Sequence, residues 1–331
     1  MIKKLLLLGN GFDLAHDIPT SYTDFLQWWL DKKKNDLGIN NATFNDVNII
    51  RITHPTHSYA LPADEWNYKY VEDQLNSNAV RWKNDFLLKI FRQVNRNKNK
   101  GYWVNIEELY YQELLSHFRK SPKGDIKLLN ANLNRVKKLL IEYLKSDLVR
   151  EKIKSSKKRF DFSKYGKDDL IVCFNYTNTI EKYYDTWPDE KSRPQVIPIH
   201  GSLSDKNYPI IFGYGDEIDP GYKELQDQND NELLTHFKTF QYLQGSYHAQ
   251  LEWFLKSNSY DVEILGMSCG LSDRVLLNTI LDRKECIDIN IKCYPDRADF
   301  IDKCYNLSRH FKNPSTVRSK IRGFSDESII K

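Results

Sequence analysis

Four short polar stretches carry the residue types that could do chemistry, and each follows an apolar run. "GNGFD" at 9–13 follows Leu5–Leu8, and "NYTNT" at 175–179 follows "IVCF". "HGSL" at 200–203 follows "VIPI", and "GMSCG" at 266–270 follows "EIL". Of the eight histidines, His200 alone follows a predicted buried strand and precedes a glycine. Imidazole titrates near neutrality, so His200 suits proton transfer, although a histidine that closes a strand end has the same signature. Asn175 and Asn178 are amides that can hold a sugar hydroxyl or a water, or close an Asx turn. Asp13 suits either a helix cap or a ligand contact.

Gly9 and Gly11 allow a tight turn and a close approach to phosphate, with helix amides behind them. A dehydrogenase fingerprint would have glycine at position 14 and an acidic residue ending a second strand. The chain has Leu14 instead, and the nearby acid, Asp31, sits in "WWLDKKKND", which reads as helix. Hydride chemistry on a bound NAD is therefore not expected. Cys269 has no histidine adjacent in sequence to activate it as a nucleophile. His54 and His57 in "THPTHSY" have no carboxylate or cysteine cluster beside them, and Pro55 makes that stretch a loop rather than a metal site.

These loops need a frame. Residues 2–8 read as a buried strand, and "DLIVCF", "QVIPIH", "YPIIFG", "DVEILG" and "DINIKCY" read as further strands. Helical stretches such as Arg274–Glu285 alternate with them, which predicts an α/β, Rossmann-like and mainly parallel sheet. Ligands on such sheets bind at the carboxyl ends of the strands, where all four polar stretches lie.

A large helical insertion follows the first strand and helix. Ile106, Leu109, Tyr110, Leu114 and Phe118 fall near one helical face until Pro122 stops the helix. Leu133, Val136, Leu140, Tyr143 and Leu144 mark a second helix. The expected domains are a nucleotide-binding core of residues 1–20 and 165–305, a mainly helical insertion of 21–164 and a polar C-terminal tail of 306–331.

The 331 residues suffice for one large or two moderate domains. A net charge of +4 is too slight to argue for nucleic acid, though the lysine-rich "REKIKSSKKRF" leaves that reading open. Five scattered cysteines without a CxxC pair point to reduced thiols in a cytoplasmic protein, with no metal expected. No apolar run is long enough for a signal peptide or a membrane span.

"GNGFDLAHDIPTSYTDFL", "WVNIE", "FNYTNTIE", "IPIHGSL" and "GMSCGLSD" together resemble the AbiH family of bacterial phage abortive-infection proteins. Through it they resemble the SIR2-like superfamily. Sirtuins carry Gly-Ala-Gly-Ile-Ser and, after three residues, Gly-Ile-Pro-Asp-Phe-Arg. Gly9, Gly11, Ile18 and Pro19 match that spacing, whereas Asn10, Phe12, Asp13 and Asp17 replace the alanine, isoleucine, serine and second-motif glycine. "NYT" is similar to their Asn-Tyr-Asp, His200-Gly201 to their catalytic His-Gly, and "GMSC" to their late Gly-Thr-Ser-Leu.

The resemblance implies that NAD is a substrate whose nicotinamide–ribose bond is broken. It implies His200 as general base, Asn175 orienting ribose or water, and Glu107 reaching over from the insertion. The nucleotide-binding set it implies is Gly9, Asn10, Gly11, Phe12, Asp13, Tyr22, Tyr176, Thr177, Gly201, Gly266, Ser268 and Asp273. Within that set, the glycine loop would hold the pyrophosphate, and Gly266 and Ser268 would line the adenosine side. Expected partners are NAD or a related nucleotide, with a homo-oligomer and a phage-derived trigger compatible with the family, and no membrane. The departures are the absence of an arginine after Ile18-Pro19, Thr177 in place of the aspartate, and no four-cysteine zinc module. They argue against protein deacetylation. A nucleotide sensor without catalysis and a nucleic-acid effector remain alternatives.

Overall fold

The computed structural model describes residues 2–36, 49–52, 80–82, 84–96, 104–203, 205, 207–294 and 296–329. The chain divides into two compact units, Pro19–Ser146 and the remainder, Met1–Ile18 with Asp147–Lys331. In chain order the elements begin with β1 (Lys3–Leu8) and α1 (Gly11–Ala15). The helical unit then contributes α2 (Tyr22–Asp36), β2 (Ile49–Ile52), β3 (Val80–Trp82), α3 (Asp85–Arg96), α4 (Val104–Arg119) and α5 (Ile126–Leu144). The sheet unit resumes with α6 (Asp147–Ser155), β4 (Leu170–Cys173), β5 (Gln195–Pro198), α7 (Pro220–Gln226), α8 (Lys238–Tyr242) and α9 (Tyr247–Ser257). It closes with β6 (Tyr260–Leu265), α10 (Arg274–Leu281), β7 (Cys286–Lys292), α11 (Arg297–Ser308) and α12 (Pro314–Lys320).

The sheet has five parallel strands in the order β5-β4-β1-β6-β7. Parallel sheets are covered on both faces, so their strands are apolar throughout rather than alternating. "LLLL" of β1 and "LIVC" of β4 follow that rule. Leu5 and Leu7 enter one core with Leu170 and Val172, while Leu6 and Leu8 enter the opposite core with Ile171 and Cys173. The chain moves outward from β1 through β4 to β5, then returns to the other side of β1 as β6. The reversal puts the topological switch point between β1 and β6, where open α/β sheets bind ligands.

Two expectations fail. "YPIIFG" is not a strand. Pro209 and Gly213 punctuate it, and it runs as an irregular strap in which Ile210 and Phe212 are buried and Ile211 N donates to His200 O at 2.8 Å. Residues 306–331 are not a loose tail either. His310, Phe311 and Ser328 are buried, and single bridges tie Ile321 to Ile289 and Ile329 to Cys293 along β7. The segment thereby covers the free edge of β7, which would otherwise present unpaired backbone groups.

In the helical unit, Leu133, Val136, Leu140, Tyr143 and Leu144 all lie buried on α5. On α4, Ile106, Tyr110 and Leu114 are buried, and the Tyr110 hydroxyl donates to Asn130 Oδ1 at 2.7 Å. Asp31 lies in α2.

Candidate functional site

The site is built where the ends of β5, β4, β1 and β6 meet at the carboxyl edge of the sheet. The segment Phe174–Thr177, which follows β4 and bends at Tyr176 and Thr177, organises it. Phe174 and Tyr176 pack against the His200 ring, with centroids 5.1 and 6.0 Å away, while Thr177 Oγ1 donates to Asp13 Oδ2 at 2.6 Å. Two polar groups therefore lie either side of this segment, one around His200 and one around Asp13.

On the first side, His200 is 5% exposed and its Nε2 lies 3.0 Å from Asp273 Oδ1. Lys238 Nζ donates to the same oxygen at 2.7 Å, and Lys238 is 0% exposed. Tyr242 of α8 stacks on the imidazole, with centroids 6.3 Å apart. Burial pushes the Asp273 carboxyl up, but the Lys238 ammonium and His200 outweigh it and hold the group well below the ordinary carboxylate range. An ionised carboxylate only accepts hydrogen bonds, so the Nε2 of His200 carries the hydrogen in this contact.

On the second side, Asp13 is 1% exposed, and burial pushes its carboxyl up to about 6 against the lowering pull of Thr177, Thr179 and Asn175. Among the described residues its Oδ1 has no hydrogen-bond partner. Asn175 is 5% exposed, and among the described residues neither its amide oxygen nor its nitrogen has a hydrogen-bond partner of normal geometry. A buried amide without partners carries a desolvation cost of about 1–3 kcal/mol, which a bound polar group or water would offset.

The glycines serve a different purpose from the one expected. Gly9 N donates to Leu265 O, Gly11 N to Gly266 O and Phe12 N to Gly9 O. A Cβ on Gly9 would lie 2.6 Å from Gly266 O, and one on Gly11 would lie 2.8 Å from Gly266 Cα. Gly266 itself has φ +69° and its Cβ would lie 2.3 Å from Phe12 N. "GNG" and "GMSC" thus pack backbone to backbone across the switch point, with the Gly9, Gly11 and Phe12 amides engaged within the protein. Gly201, with φ +82°, lets the chain turn after His200 under the Pro209 carbonyl.

The expected residues fall into distinct places. His200 and Asp273 are in direct contact; Asp273, expected as a nucleotide contact, is the partner of the imidazole. Asp13, Asn175 and Thr177 form the second group, and Tyr176 donates its hydroxyl to Ile211 O at 3.1 Å. Ser268 is half-buried, and its carbonyl accepts from Asn306 Nδ2. Asn10 precedes α1 as its N-cap residue. Glu107 and Tyr22 belong to the helical unit, both buried. Asn178 is exposed and closes a turn onto Glu181, the structural alternative. Burial pushes the Cys269 thiol up to about 12, so it is a poor nucleophile. His54 and His57 lie outside the described residues. Among the described residues no group of three or more His, Cys, Asp or Glu is placed to hold a metal, and no helix is long and apolar enough to cross a membrane.

Two findings bear on the departures in the sequence. Opposite Thr177, which stands where the resemblance expects an aspartate, lies the Asp13 carboxylate. Asp17, in place of a glycine, has φ +56°, a left-handed conformation that aspartate tolerates. In the lysine-rich stretch, Lys154 pairs with Glu151, Lys158 with Asp185 and Arg159 with Asp17, which neutralises much of its charge. Sequence reasoning missed Lys238 altogether. Its one signal was a lone cation among the aromatics of "HFKTFQY".

No curated protein and no solved structure matches the chain significantly. A family model described as "Bacteriophage abortive infection AbiH" matches residues 5–294. That span takes in the four strand-end loops of the site, and the chain belongs to this family of bacteriophage abortive infection proteins.

Proposed function

We propose that the carboxyl edge of the sheet binds NAD and hydrolyses its nicotinamide–ribose bond, as the abortive-infection chemistry of this chain. The observation that carries the reading is the buried His200–Asp273 pair, which leaves a basic Nδ1 beside strand ends that suit a nucleotide. The SIR2-like resemblance of "NYT", "HG" and "GMSC" supports the choice of substrate.

In the proposed reaction the C1′–N bond breaks and its electron pair goes to the pyridinium nitrogen, so nicotinamide leaves neutral. Positive charge develops on the ribose, as in glycoside cleavage. Water attacks C1′ and gives its proton to His200 Nδ1, yielding ADP-ribose and, after release to solvent, one proton. Asn175, whose amide has no partner of normal geometry among the described residues, suits a ribose hydroxyl or the attacking water. The Asp13 carboxylate supplies negative charge near the developing cation.

The test is to incubate purified protein with NAD and follow nicotinamide and ADP-ribose by chromatography, with and without lysate from phage-infected cells. His200→Ala is expected to lower nicotinamide release by about 10²–10⁴. Release by that variant at the wild-type rate would overturn the assignment. Wild-type protein that binds NAD without releasing nicotinamide in either condition would make the site a nucleotide sensor instead.

A further inference from the structure

We propose that Lys238 is a positioning residue for His200, fixing its tautomer and its proton affinity through the shared carboxylate of Asp273. The inference deepens the hydrolase reading, but its geometric part stands without it.

Burying an ammonium costs several kcal/mol unless it is paired and hydrogen-bonded. Lys238, fully buried at the start of α8, meets Asp273 Oδ1 at 2.7 Å, the atom that His200 Nε2 approaches at 3.0 Å. Two donors therefore converge on one oxygen, which fixes the carboxylate and the ring it faces.

Charge gives the second argument. Lys238, Asp273 and a neutral His200 sum to zero, and a proton on His200 would leave the buried group with a net positive charge. Without Lys238, the same proton would complete a neutral ion pair with Asp273. The lysine thus opposes protonation of His200 and keeps Nδ1 available as a base.

The groups facing the imidazole are few among the described residues. Asp273 comes from the loop after β6, Lys238 acts through it from α8, and the rings of Tyr242 (α8), Tyr176 and Phe174 (after β4) surround the imidazole. Asp273 is the one carboxylate bonded to the ring, so the sign of the effect depends on how Asp273 is shared.

The experiment is a nuclear magnetic resonance titration of the His200 imidazole in the full chain, with isotope-labelled histidine. In the wild type at neutral pH, the nitrogen shifts are expected to show the Nε2–H tautomer, and the Nδ1–H tautomer would overturn the proposal without any variant. In Lys238→Met the titration midpoint is expected to rise by about 1–2 pH units, while Lys238→Arg, which keeps the charge, stays near wild type. A folded Lys238→Met protein with the wild-type midpoint would sink the idea, as would an arginine variant that shifts as far as the methionine one. If Lys238→Met does not fold, the wild-type tautomer and the arginine titration decide. Where nicotinamide release is measurable, Lys238→Met should move the acidic limb of its kcat profile upward with KM little changed. Absence of NAD cleavage would refute the hydrolase reading and leave the titration result standing.

Discussion

Asp13 shows how burial alters the chemistry of a residue in the site. Burial raises its carboxyl from an ordinary 3.8 to about 6, so the folded chain keeps this proton to a higher pH than the unfolded chain and releases it below neutral pH. The contribution of Asp13 to stability is therefore fully present below about pH 4 and is lost as pH rises through about 6. The loss integrates to about 3 kcal/mol. Asp13→Asn should remove that slope from a denaturant-midpoint profile measured between pH 4 and 7. An unchanged slope in the variant would show that Asp13 does not titrate in that range. His200 had a visible sequence signal, a lone histidine between a buried strand and a glycine. Lys238 had almost none, because a buried lysine and a surface lysine are written alike until the chain around them is folded.

Among the elements, the strands and their polar ends were legible, since "LLLL" and "LIVC" are continuous apolar runs of the kind parallel sheets require, and "DVEIL" alternates buried and half-buried residues before its apolar end. "YPIIFG" misled because its apolar side chains are buried as a strand's would be, while its backbone pairs with the loop after His200 rather than with the sheet. The C-terminal segment misled in the opposite direction, since its polar composition conceals Ile321, Phe324 and Ile329 packed against the sheet core. Phe324 also meets the Phe300 ring at 5.5 Å and lies under the Arg297 guanidinium. Deleting residues 313–331 would uncover the edge of β7 and strip these three side chains from the core they pack against. A loss of about 3 kcal/mol or more is expected by denaturant unfolding, with aggregation through the exposed edge. A truncated chain with the wild-type midpoint would show that the segment adds nothing to the stability of the sheet.

For the molecule as a whole, family membership places the chain in bacteriophage abortive infection, and the buried site proposes the chemistry behind that role. Cells that carry the wild-type chain and resist a phage should lose that resistance with His200→Ala, as scored by plaque formation at equal protein level. Undiminished protection by the variant would separate the defence role from this site and favour a function carried elsewhere in the chain.

The sequence by itself determined the sheet class, the polar character of four strand ends and the family, because apolar periodicity and glycine spacing are local properties of the chain. The tertiary structure decided which of those residues meet. Asp273 became the partner of His200, Asp13 met Thr177, and Lys238 arrived from a helix that no motif marked. Each of these contacts joins residues 35 to 164 positions apart. Pairings of that kind depend on strand order and on the packing of the β5–β6 connection over the sheet edge, and no local pattern encodes them.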